Sequence, residues 1–202
     1  MNDVKGGIIM KLVQSSNRCI ILLHEIYGIN EHIKFYANYF FKRGYDVFIP
    51  NLLGNEEPYR YNQEQEAYQH FIKEIGFERA YEQVLELIYQ CYDKYEDIQI
   101  VGFSIGATIA WLCSTENKIA KIFGFYGSRI RQYITIEPRT ATFLFYGKHE
   151  KAFNSEVLAK ELNRKELVSV YIFDGTHGFA DPYSTAYCEA STQEILTKYL
   201  VL

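Results

Sequence analysis

Residues 98–113 read IQIVGFSIGATIAWLC. The run IQIV suits a buried strand and ATIAWLC an apolar helix, while Gly102-Phe103-Ser104-Ile105-Gly106 joins them with no room for a loop. So abrupt a turn holds its central serine in a strained conformation. The flanking glycines let helix and strand pack closely beneath it, because neither carries a side chain. Ser104 is therefore the expected nucleophile. In the plainer reading, the two glycines only shape the turn and Ser104 caps the helix.

Outward from this stretch, strand-like runs rich in Ile, Val and Phe recur at 8–13, 20–24, 46–49, 98–101, 120–126, 142–146 and 168–173. Helical patterns fill 31–43, 63–95 with a break near Gly76, 105–114, 154–162 and 185–200. Most of the strand runs are apolar throughout, as strands buried on both faces of a parallel sheet are. The expectation is one α/β domain over 1–202: a doubly wound, mostly parallel sheet of about seven strands, helices on both faces, and no cap domain. Only the first two strands lack room for a crossover helix, which predicts an antiparallel edge there. The polar segment 51–61, NLLGNEEPYRY, follows a strand end, where ligands bind in such sheets, and is expected to border the site.

Composition excludes several functions. With 48% hydrophobic and 23% charged residues, the chain is globular rather than disordered. The net charge is −4, and Lys and Arg are dispersed among acids, so no basic stripe could displace counterions from a phosphate backbone. Nucleic acid is not an expected partner. Cys19, Cys91, Cys113 and Cys188 lie far apart without metal-ligand spacing, which suits reduced thiols in a cytoplasmic protein that needs no metal or cofactor. No apolar run reaches the length of a membrane span, and MNDVKGGIIMKLV holds no signal-type stretch, so no membrane association is expected.

A serine hydroxyl attacks only when a base takes its proton. His177, in Asp174-Gly175-Thr176-His177-Gly178-Phe179, follows a late apolar strand and precedes the last helix, where that base is expected. A structural histidine in a Gly-rich loop is the competing reading. His24, His32 and His70 sit on strand or helix patterns and read as core or surface residues. The orienting acid should follow the strand at 142–146. There Gly147-Lys148-His149-Glu150 offers Glu150, which would fix the imidazole tautomer, unless it is a solvated surface glutamate. The backbone N–H groups of Ile105 and Ile26 are the expected oxyanion donors.

The segment ILLHEIYGIN at 21–30 resembles the dienelactone hydrolase family, where a strand runs into Glu-Ile-Phe/Tyr-Gly-Val/Ile-Asn. The likeness continues through Arg43-Gly44-Tyr45-Asp46-Val47, Pro50-Asn51-Leu52, GFSIGA, Phe125-Tyr126-Gly127 and His177-Gly178-Phe179, covering nearly the whole chain. It implies the α/β-hydrolase fold, a share for Glu25 in activating the nucleophile, and Tyr68 in the active-site wall. A buried acid capping local amides is the alternative for Glu25.

Three departures accompany the likeness. Ser104 stands where the family's usual nucleophile is cysteine. His149 occupies its acid position, which displaces the carboxylate by one place to Glu150. Glu64 and Asp181 stand where arginines would grip a substrate carboxylate, so an anionic lactone should be a poor substrate.

The expected activity is hydrolysis of a small neutral or cationic ester, lactone or thioester through a Ser104 acyl-enzyme. A homodimer is left open. Two alternatives stand beside it: a small-substrate peptidase or amidase on the same fold, and a hydrolase-like fold that has lost catalysis and serves in binding or sensing.

Overall fold

The computed structural model describes residues 9–200. Its seven strands are β1 (Ile9–Leu12), β2 (Arg18–Leu23), β3 (Asp46–Pro50), β4 (Asp97–Phe103), β5 (Lys121–Phe125), β6 (Ala141–Gly147) and β7 (Val168–Phe173). They form one sheet in the order β1-β3-β2-β4-β5-β6-β7. Every pairing is parallel except β1 with β3. The antiparallel edge expected from the sequence is present, but its partner is β3 and not β2. The chain passes from β1 to β2 without pairing them and returns through the first helix to fill the place between, so a short connection did not mean adjacency. Residue 8, at the start of the first predicted strand, lies outside the described residues, as does most of the N-terminal stretch.

The sheet is covered on both faces by α1 (Glu31–Phe41), α2 (Glu64–His70), α3 (Gly76–Cys91), α4 (Ile105–Leu112), α5 (Ser155–Leu162) and α6 (Glu189–Lys198). Alternation along β2 sorts the two cores. Ile20 and Leu22 join the layer under α1 and α6, with Phe40, Phe125, Phe145 and Ile195. Cys19, Ile21 and Leu23 face the layer under α3 and α4, with Val84, Ile88 and Ile109. A third cluster, Trp111, Leu144, Tyr146, Leu158 and Leu162, seats α5. The helix predicted over 63–95 divides where expected: a π-turn at Phe71–Ile75 runs into Gly76, whose φ of 73° breaks the helix.

Parallel strands end on the same edge of a sheet. The C-terminal ends of β2, β4, β5, β6 and β7 therefore bring the residues that follow them, Glu25, Ser104, Tyr126, Glu150 and His177, to one side of the molecule. The site is built there.

Candidate active site

Ser104 sits between β4 and α4 with φ 52° and ψ −109°. Such a backbone costs roughly 1–3 kcal/mol for a residue with a side chain and persists only where its surroundings enforce it. They do so here by close packing. A Cβ on Gly102 would stand 2.3 Å from the Gly106 carbonyl oxygen, and one on Gly106 would stand 2.4 Å from that of Leu23. Glycine at both positions thus lets α4 press against the ends of β4 and β2. The Ser104 N–H is tied to the Phe125 carbonyl at 2.9 Å, and the Ser104 carbonyl accepts from Thr108. Ser104 makes no side-chain cap for α4, so it is not the cap that the plainer reading made of it.

His177 Nε2 lies 3.0 Å from Ser104 Oγ, and His177 Nδ1 lies 3.0 Å from Glu150 Oε2. Two loops make this alignment. The N–H groups of Lys148 and His149 bond the carbonyls of Phe173 and Gly175, clamping the loop after β6 to the loop after β7. Gly147 permits the approach, since a Cβ there would meet the Gly175 oxygen at 2.8 Å. Glu150 is turned inward, with its side chain 1% exposed, while the imidazole keeps an open edge at 44%. His149 points out to solvent and stands 3.6 Å from the exposed Asp174. The carboxylate facing the imidazole is therefore the one displaced by a place, Glu150. Crowding by protein atoms pushes the His177 pKa down, but the hydrogen bond and charge of Glu150, with the more distant charges of Glu25 and Glu64, outweigh this and raise it above the ordinary value.

The loop after β2 carries Glu25 and Ile26, and a buried histidine shapes it. His24 Nδ1 lies 2.6 Å from the Glu25 carbonyl, and the Leu52 N–H donates to His24 Nε2 at 3.0 Å. That pattern needs a neutral ring protonated on Nδ1, and burial lowers the His24 pKa to about 4, which keeps it neutral. Among the described residues, neither Ile26 nor Ile105 uses its N–H in a turn or capping bond. Asn30 caps α1 by accepting from Ile33. This sets His32 in the first turn of α1, facing Glu25. Burial raises the Glu25 pKa, but the neighbouring imidazoles of His32 and His177 outweigh it and hold the carboxyl below the ordinary glutamate value.

This geometry can be set beside known proteins. The family model for the dienelactone hydrolase family matches residues 6–202. The chain belongs to the dienelactone hydrolase family. The Bacillus subtilis (strain 168) protein YczH, uncharacterized, is 38% identical over 173 residues, 85% of each chain. The carboxymethylenebutenolidase of Pseudomonas putida is 20% identical over 197 residues, 90% of this chain and 83% of that enzyme. Among solved structures, a Klebsiella pneumoniae protein provisionally described as a dienelactone hydrolase superposes with a TM-score of 0.74 at 15% identity, covering 100% of this chain and 90% of that one. The dienelactone hydrolase-like promiscuous phosphotriesterase P91, from metagenomic libraries, gives 0.70 at 13% identity, over 90% and 83% of the two chains. At these identities the structural matches carry the α/β-hydrolase fold alone.

Against the dienelactone hydrolase family pattern, one expectation about charge needs correcting. Asp181 does not face a substrate. It is buried, its Oδ2 accepts from the Tyr61 hydroxyl at 2.6 Å, and its Oδ1 accepts from the Tyr183 N–H at 2.9 Å. At Tyr68, the guanidinium of Arg129, from the turn after β5, donates to the hydroxyl. Arg129 follows the Tyr126-Gly127 turn, a place the family likeness gave no reason to search. Glu64, one turn before Tyr68 on α2, stays exposed. The 51–61 segment does border the site, since Tyr59 N–H bonds the Tyr27 carbonyl and Tyr61 reaches Asp181. Its own 530 Å³ depression, lined by Glu57, Pro58, Tyr59, Arg60, Asn62 and Gln63, contains none of the residues around Ser104. Among the described residues, no helix is long and apolar enough to cross a membrane.

Proposed function

We propose that this member of the dienelactone hydrolase family hydrolyses a small uncharged ester, lactone or thioester through an acyl-enzyme on Ser104. The observation that carries the reading is the single line of two 3.0 Å contacts, Ser104 to His177 and His177 to Glu150. His177 Nε2 accepts the Ser104 proton as Oγ attacks the carbonyl carbon, and Glu150 steadies the imidazolium that forms. The N–H groups of Ile26 and Ile105 hold the oxyanion. His177 then returns the proton to the leaving oxygen or sulfur. A water, deprotonated by the same imidazole, cleaves the acyl-serine.

Glu25 is given no proton-transfer step in this scheme. Its carboxyl is held below the glutamate range and is a weaker base than the imidazole already bonded to Ser104. The mixed charge of Glu64 and Arg129 favours neutral substrates over strongly charged ones. The peptidase and binding-module alternatives gain no support from a specific contact. The test is labelling with a fluorophosphonate probe alongside turnover of short p-nitrophenyl esters. The expected result is one label per chain on Ser104 and measurable turnover, both lost in Ser104→Ala. Absence of both in the wild-type protein removes the proposal.

A further inference from the structure

Behind the Ser104–His177 pair, Glu25, His32 and Asp181 form a second group that the proposed reaction does not use. All three are buried. One nitrogen, His32 Nδ1, faces two carboxylate oxygens, Glu25 Oε2 and Asp181 Oδ2, each at 3.8 Å, and one donor atom from each residue lies within 4.8 Å of the others. Neither ring nitrogen of His32 has a hydrogen-bond partner among the described residues.

We infer that Glu25, His32 and Asp181 are the ligands of a buried divalent metal site of the zinc class.

Two carboxylates this close, out of water, need a positive charge between them. A direct hydrogen bond from the imidazole would bring a carboxylate oxygen to ~2.7–3.2 Å. Here both oxygens stand too far for that. Donor atoms sharing one tetrahedral zinc, at bonds of ~2.0–2.2 Å, stand about 3.3–3.6 Å apart, so the two 3.8 Å separations need to close by only a few tenths of an ångström to hold one ion. An imidazole among the ligands favours zinc and its neighbours over magnesium or calcium, which prefer all-oxygen shells. Three protein ligands leave a fourth position for water or for the Tyr126 hydroxyl. That hydroxyl is buried and finds no partner of good hydrogen-bond geometry among the described residues. Tyr61, half-exposed and bonded to Asp181, is the side chain whose rotation would open a path from solvent. His32 is presented by the Asn30 cap and Glu25 by the His24-braced loop, so the fold fixes two of the three ligands before any ion arrives.

The inference does not depend on the hydrolase reading, and its test does not use activity. Tag-free protein is stripped with chelator, reloaded with ZnCl2, desalted and assayed for zinc by mass spectrometry, with thermal unfolding followed in parallel. The expected result is close to one zinc per chain and a rise in Tm with Zn2+ but not with Mg2+ or Ca2+. Asp181→Asn and His32→Gln should each lose the bound zinc and the shift. His149→Ala, which alters only the exposed histidine near Asp174, should keep both. Wild-type protein that retains less than a tenth of an equivalent and shows no Zn2+-specific rise in Tm overturns the site, whatever the variants do. Retention unchanged in folded Asp181→Asn and His32→Gln overturns it equally, placing the zinc elsewhere.

Discussion

Two groups of acid and imidazole flank Ser104, and they are built from the same residue types at different spacings. In the outer group, Glu150 and His177 touch at 3.0 Å, and the imidazole keeps an open edge. In the inner group, His32 stands 3.8 Å from each of Glu25 and Asp181, with every side chain buried. The difference of under an ångström separates two kinds of chemistry. Hydrogen-bond contact, with access to solvent and to a serine, makes a base that can take a proton and give it back. A wider, buried spacing is what the proposed ion would bridge. The two groups share one connection and otherwise draw on different parts of the fold. Loops after β6 and β7 form the outer one, whereas the inner one combines the loop after β2 and the first turn of α1 with Asp181, four residues past His177 in the connection between β7 and α6.

Removing the atom that the outer group serves should have the largest effect. Ser104→Ala is expected to lower kcat by roughly 10⁴–10⁶-fold on p-nitrophenyl esters, as loss of a nucleophile does elsewhere. Next comes Glu150→Gln, which keeps the shape and deletes the charge. A fall of ~10²–10⁴-fold in kcat is expected, since the imidazole loses its orienting partner. The pH profile adds a sign. The base must be neutral to act, and its pKa is raised, so kcat/KM of the wild-type protein should be lost as pH falls through a value above the ordinary histidine range. Taking away the Glu150 charge leaves burial to dominate, so this acid limb should move to lower pH in Glu150→Gln. A limb that stays in place would show that Glu150 does not set the base.

Smaller effects come from the inner group and from the surface. Glu25→Gln is expected to cost less than the ~10²-fold that a general base contributes, because no proton passes through Glu25. A larger loss measured in kcat would merge the two groups into one machine. His149→Ala should change stability by less than ~1 kcal/mol, the usual worth of an exposed pair. Urea unfolding checks this. A large destabilisation there would mean that the His149 side chain, and not only its backbone, holds the β6 and β7 loops together.

The outer group was legible in the sequence for a physical reason. A nucleophile turn needs glycine on either side of the serine, and its base needs a loop after a late strand, so both leave local marks around Ser104 and His177. Strand identity was equally plain, because a parallel sheet buried on both faces demands continuous apolar runs. Strand adjacency was not. The pairing of β1 with β3 depends on where the chain returns, which no local pattern records. The inner group was invisible for a related reason. His32 reads as one more residue of an amphipathic helix, and Asp181 as a substrate-facing acid, until the Asn30 cap and the Tyr61 bond turn both toward Glu25. Arg129 beside Tyr68 joins elements distant along the chain, a contact that only the folded arrangement supplies.

The central claim is that Ser104 is the nucleophile and is activated through His177. The most direct measurement is rapid mixing with a p-nitrophenyl ester, followed by acid quench and mass mapping of the acyl adduct, in wild-type and His177→Ala protein. The account predicts a burst of one nitrophenolate per chain with a single acyl group on the Ser104 peptide, and loss of both when His177 is replaced. An adduct on another residue, or acylation of Ser104 at an unchanged rate in His177→Ala, would contradict it.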